Sequence, residues 1–191
     1  MQKQGKSARK SHGMESEEKE DVIGLSNAQL EEFIYAQQPK HFFAGCFSVD
    51  NVPVRELSNI DKFALILNLS PAKKPGSHFV GLHAENFDCL NYFDSLAISP
   101  VHLSKRLTRL LSQLGRATLC LQVRQPLQSV LSPLCGLYAL FFIMLSDAER
   151  YPVRRGLETF RLDQSDVERK VNDNICMKNI KCLLQNNKLL K

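Results

Sequence analysis

Apolar positions along the chain fall into segments of different period, and each period predicts an element. From Leu134 to Leu145 almost every residue is apolar. That run is too short to span a bilayer and predicts a buried helix. Ser132 and Pro133 suit its start, with proline at the first helical position, where a missing N–H costs nothing. "SPVHLSKRLTRLLSQLG" carries leucines at helical spacing and predicts one amphipathic helix, opened by Ser99 and Pro100 and stopped by Gly115. "LSNAQLEEFIYAQQ" predicts another, with Ser26 and Gln29 at capping-box spacing and Leu30, Phe33 and Ile34 as its stripe. A more polar helical pattern runs from about Leu162 to Leu184. Between the helices, "FFAGCFSV" and "KFALILNL" read as strands or buried segments, "HFVGLHAENFDCLNYFDSL" as a hairpin and "ATLCLQV" as a short strand. The mixture predicts an α+β fold, a mixed central sheet packed on helices with the Leu134–Leu145 helix at its centre.

Residues 1–21 run from a basic block into an acidic block with almost no large apolar side chain. Such a segment cannot bury enough surface to offset its ordering entropy. A disordered charged extension is therefore expected over residues 1–24, followed by one domain over residues 25–191. The 43% hydrophobic content suffices for a sizeable core in a chain of 191 residues. No apolar stretch follows the basic start, so no secretory signal is expected, nor a membrane partner. Six cysteines are scattered without a CxxC pair, which favours reduced intracellular thiols over a disulfide framework or a structural zinc site. The net charge of +5 permits contact with a polyanion without demanding it. A monomer is expected.

Composition alone makes Cys135 a buried core cysteine, since free cysteine is among the most buried residue types. Its position suggests more. In the first turn of a helix, free backbone N–H groups and the macrodipole favour an anion, the thiolate included. Gly136 leaves room for a substrate backbone. A nucleophile also needs a base, and the base an orienting group. If Ala84–Asp88 form the hairpin turn, His83 pairs with Cys89 and His78 falls opposite Asp94, within imidazole-to-carboxylate reach. Other registers remain open, with His83 and Asp88 as weaker candidates. Gln128, seven residues before Cys135, could return its amide over the helix start as an oxyanion donor beside the Cys135 N–H. Gln122 and Gln125 compete for that role.

With the order His, Asp, Gln, Cys assembled, the chain resembles the adenovirus endopeptidase (adenain) family of cysteine proteases and, more distantly, the ubiquitin-like-protein proteases. The likeness spans about residues 25–150. It is carried by "GSHFVGLHAENFDCLNYFDSLAIS", by "QSVLSPLCGLYALFF" with its Gln-x6-Cys-Gly block, and by "FFAGCFSVDNVP" after a short helix. The resemblance implies Cys135 as nucleophile, His78 as base, Asp94 as its orienter and Gln128 as oxyanion donor. It implies no metal or organic cofactor. It also implies viral precursor proteins as substrates, cut at glycine-containing sites during particle maturation in the host nucleus and virion. An activating viral peptide and DNA would be partners, with Cys120 near the family's peptide-linking cysteine. A strand-core cysteine is the competing reading of Cys120. The chain departs in having Phe79 after the histidine where the family commonly has tryptophan, and in having Asp94 where adenoviral relatives often have Glu. Lys105, Arg106, Arg109, Arg116, Arg154 and Arg155 could meet phosphates. An isopeptidase for a ubiquitin-like modifier, or a non-catalytic basic core protein binding nucleic acid, are the alternatives.

Overall fold

The computed structural model describes residues 25–36, 43–74, 77–147, 160 and 165–186, the last six by their backbone alone. The extension expected over residues 1–24, and Arg154 and Arg155, lie outside the described residues. The described chain is α+β, with a five-stranded mixed sheet covered by helices on both faces. In chain order the elements are α1 (Asn27–Ala36), β1 (Phe43–Ser48), α2 (Val54–Leu57), β2 (Phe63–Asn68), β3 (Phe79–Ala84) and β4 (Cys89–Phe93). There follow α3 (Pro100–Leu103), α4 (Lys105–Gln113), β5 (Thr118–Leu121), α5 (Cys135–Asp147) and α6 (Asp166–Asn186). The strands lie side by side in sequence order. β2–β3 and β3–β4 are antiparallel, whereas β1–β2 and β4–β5 are parallel, so helical crossovers join the outer pairs.

Burial on both faces explains the unbroken apolar run of β2, every residue of which is buried. On one face Phe63, Leu65, Leu67, Val80, Leu82, Leu90 and Tyr92 pack against Leu57 of α2 and Leu107, Leu110 and Leu111 of α4. On the other, Ala64, Ile66, Phe79 and Phe93 pack against α5, with α1 beside it against β1 and α6 on its outer side. α5 is apolar all round because it is surrounded. Phe142 stacks on Phe93 with ring centroids 4.9 Å apart. It reaches that position because Gly81 has no side chain: a Cβ there would sit 2.5 Å from the Phe142 ring. The capping box opens α1 as expected. The Ser26 N–H donates to Gln29 Oε1 (2.9 Å), and the Gln29 N–H to Ser26 Oγ (3.3 Å).

Four expectations are corrected. The single amphipathic helix after Ser99 is two helices, broken at Ser104. That residue has extended backbone (φ −167°, ψ 148°), and its hydroxyl accepts from the Leu107 N–H to cap α4. α5 starts at Cys135, so Pro133 lies before the helix and not at its first position. The hairpin connection is shifted by one residue: Ala84 pairs with Leu90 and His83 with Asn91, not with Cys89. Asn86 sets that turn, its Oδ1 accepting from the Asp88 and Cys89 N–H groups. Finally, Gly136 faces the core. An added Cβ would lie 3.3 Å from Leu30 and 3.5 Å from Phe79, so the close approach it permits is that of α5 to α1 and β3.

Candidate active site

His78 and Asp94 lie just outside paired strand residues, one before β3 and the other after β4. In the observed register Asp94 would face Val80, two residues from His78. That displacement preserves the face of the sheet, because side chains alternate with period two. The imidazole bridges the diagonal: His78 Nε2 lies 2.8 Å from Asp94 Oδ1. Asp94 is 2% exposed. Its Oδ1 also accepts from the Leu96 N–H (2.8 Å), and Tyr92 OH points at Oδ2 (3.5 Å). A carboxylate so held fixes the imidazole. With Nε2 on Asp94, Nδ1 is the nitrogen left for another partner, and the Cys135 thiol lines the same cleft as the ring.

Electrostatics follow the geometry. Burial works to lower the His78 pKa, but the hydrogen bonds and charges of Asp94 and Cys135 outweigh it and raise it to about 9. The imidazole is thus a stronger base than a free histidine, with Asp94 stabilising the protonated form. Cys135 is half-buried at the first position of α5. The helical ladder begins with the Tyr138 N–H donating to the Leu134 carbonyl (3.0 Å). The N–H groups of Cys135, Gly136 and Leu137 therefore have no acceptor within the helix.

Gln128 is buried and pinned at both ends of its amide. Ser95 Oγ donates to Gln128 Oε1 (2.6 Å), and Gln128 Nε2 donates to the Ser132 carbonyl. The Leu127 and Gln128 N–H groups both donate to the Ser95 carbonyl (2.8 and 3.1 Å). Asp94 and Ser95 thus connect the histidine to the glutamine through adjacent residues. Gln128, His78 and Cys135 line one cleft of about 560 Å³, walled by Asn27, Ser48, Asn68 and Lys74 among others.

The competing residues lie outside the cleft lining. Gln122 donates to Asn91 Oδ1 (2.7 Å) and Gln125 is exposed, both outside the cleft lining. His83 is buried two strand positions beyond Gly81, its Nδ1 3.8 Å from Glu85, and Asp88 is exposed in the turn. Cys120 is half-buried on the edge strand β5, away from the cleft, with its Sγ 2.9 Å from Cys89 Sγ. Of the basic residues, Lys105, Arg106 and Arg109 are exposed along α4. Arg116 is engaged in the fold instead: it donates to the Leu57 and Ile60 carbonyls and lies over the Phe63 and Phe87 rings. Ser95 escaped sequence reasoning, although its place beside Asp94 at a strand end was the available signal. Among the described residues, no group of three or more His, Cys, Asp or Glu could hold a metal ion, and no helix is long and apolar enough to cross a membrane.

No protein-family model and no curated protein matches the chain. Among solved structures it is similar to ChlaDub1 from Chlamydia trachomatis, with a TM-score of 0.46 and 16% identity over 85% of this chain and 77% of that one. It is similar to the ASFV pS273R protease, with a TM-score of 0.41 and 15% identity over 78% and 66%. It is also similar to the central domain of Lpg1148 from Legionella pneumophila, with a TM-score of 0.48 and 14% identity over 86% and 99%. Likenesses this weak leave the chemistry to be read from the site itself.

Proposed function

We propose that the chain is a cysteine protease in which Cys135 is the nucleophile, His78 the general base, Asp94 its orienter and Gln128 an oxyanion donor. The observation that carries this reading is the 2.8 Å bond from the buried Asp94 to His78, whose ring lines one cleft with a thiol at a helix start. His78 takes the Cys135 proton, and the thiolate attacks the scissile carbonyl carbon. The oxyanion is held by the Cys135 N–H and the second N–H of the Gln128 amide. Protonated His78 then gives its proton to the leaving amine as the C–N bond breaks. Water, deprotonated by His78, hydrolyses the thioester and restores the thiol.

At the level of substrate, the reading we favour is an adenain-type endopeptidase that matures viral structural precursors at glycine-containing sites. The resemblance of "QSVLSPLCGLYALFF" and the histidine hairpin supports it. The decisive experiment is cleavage-site profiling of the full chain on a peptide library, with and without DNA, with Cys135→Ala as control. Cleavage lost in Cys135→Ala and centred on glycine supports the reading. Cleavage that persists in that variant overturns it, and cleavage of a ubiquitin-like conjugate in preference to a linear precursor moves the assignment to an isopeptidase.

A further inference from the structure

The last helix, α6, makes a set of polar contacts that converge on one loop. Asn172, fully buried, donates from Nδ2 to the Leu127 carbonyl (3.1 Å). Asp166 Oδ1 accepts from Ser129 Oγ (3.0 Å). Asp173 accepts from the Tyr138 hydroxyl at Oδ1 (3.0 Å). The same Tyr138 hydroxyl lies 3.4 Å from the Leu127 carbonyl. Leu127, Ser129 and Ser132 bracket Gln128, and Ser132 supplies the carbonyl on which the Gln128 amide rests. A surface helix needs only an apolar stripe to dock, and α6 has one in Cys176 and Ile180. Polar groups aimed at a single loop, from the buried Asn172 through the half-buried Asp173 to the exposed Asp166, do something more specific, since a buried polar group must be matched to keep the loop in one conformation.

We infer that α6 positions the Gln128 amide, with Asp173 and Asn172 as its positioning residues. This rests on the oxyanion role given to Gln128 above. The test uses the full chain, a glycine-containing coumarin-amide peptide chosen by profiling, and a double-mutant cycle. Asp173→Asn keeps the shape but replaces an oxygen acceptor with a donor. It should lower kcat roughly tenfold with KM within about twofold, and cause no further loss in a Gln128→Ala background. Asp166→Ala, at the exposed end of the contact set, should show a smaller loss with the same dependence on Gln128. It keeps the test open if Asp173→Asn fails to fold. Equal losses in both backgrounds, or no loss in a folded variant, overturn the inference while leaving Gln128 in place. Normal kcat in Gln128→Ala alone overturns the oxyanion reading, and the role of α6 with it.

A second inference is independent of catalysis. The β4–β5 register sets Cys89 beside Thr118 and Asn91 beside Cys120, which makes the two cysteines diagonal neighbours at the sheet edge. Their sulfurs are 2.9 Å apart, both residues are half-buried, and neither belongs to the cleft. The geometry points to an intrachain oxidation site for a small disulfide such as oxidised glutathione. One protein thiolate attacks a glutathione sulfur and releases one glutathione. The second then displaces the other glutathione from the mixed disulfide, so two thiols lose two protons and two electrons to give two reduced glutathiones. The product ties β5 to β4 and withholds Cys120 from a disulfide with any peptide.

The test is oxidised glutathione added to the full chain carrying Cys135→Ala, followed by non-reducing peptide mapping. A Cys89–Cys120 cross-link is expected, absent in Cys89→Ser and in Cys120→Ser. Its closure of a 31-residue separation should raise Tm by roughly 5–15 °C. Glutathione left as a mixed disulfide on either cysteine, or both remaining thiols, overturns it.

Discussion

Replacing Asp94 by Asn removes one charge and almost no volume, so its consequences can be worked from the bond it breaks. In the wild type His78 titrates at about 9 against 6.5 for a free histidine, a difference worth roughly 3 kcal/mol between the protonated and neutral forms. Because the folded-state value is the higher one, folding gains from protonating His78. That gain is complete below pH 6.5 and is lost as pH rises through about 9. Loss of a single adjacent opposite charge should lower the His78 pKa by about 1–3 pH units. Urea unfolding at pH 6 and pH 10 should therefore show a smaller alkaline loss of stability in Asp94→Asn than in wild type. The imidazole orientation changes too. An asparagine amide can present N–H to Nε2, which would put the ring proton on Nδ1, facing the thiol. A drop in kcat/KM on the order of 10²–10⁴ follows. The checks are the His78 ring titration by NMR and peptide hydrolysis across pH. A variant with kcat/KM within about threefold of wild type and an unchanged His78 titration would refute the reasoning.

Gln128→Ala should lower kcat by about 10²–10³ with little change in KM, as for removal of one oxyanion donor, and steady-state kinetics on the profiled peptide will show it. His78→Ala should remove turnover, whereas His83→Ala should change stability more than turnover, because His83 is buried away from the cleft lining. Paired assays of activity and thermal unfolding separate the two. Gly81→Ala should destabilise the fold by about 1–3 kcal/mol, since the new Cβ meets the Phe142 ring at 2.5 Å; chemical denaturation measures it.

Elements with a strong local signature were legible in the sequence. The all-apolar α5, the capping box of α1, the hairpin and the short β5 follow from periodicity and capping chemistry, and they bring His78, Asp94, Gln128 and Cys135 to one end of the sheet. What was not legible depended on competition between local hydrogen bonds or on contacts distant in sequence. The leucine period runs through Ser104 without interruption, and only the bond from the Leu107 N–H to its hydroxyl reveals that Ser104 ends one helix and caps the next. The hairpin register turned on Asn86, whose side chain fixes the turn one residue further along than expected. That shift left His78 and Asp94 able to meet because it preserved the parity of their faces. The polar residues of α6 gave no hint of their partners: Asn172 reaches back 45 positions to Leu127. Gly136 beside the cysteine suggested room for substrate, and its true neighbours, Leu30 and Phe79, come from other elements.

The most direct test of Cys135 as nucleophile is trapping with a peptide vinyl sulfone bearing glycine at the position before the warhead, read by intact mass and peptide mapping. Native wild-type chain should gain a single adduct, located on Cys135, and His78→Ala should gain it far more slowly. Adduct formation on another cysteine, or equal labelling of Cys135 in native and urea-unfolded chain, would contradict a thiol activated by the fold.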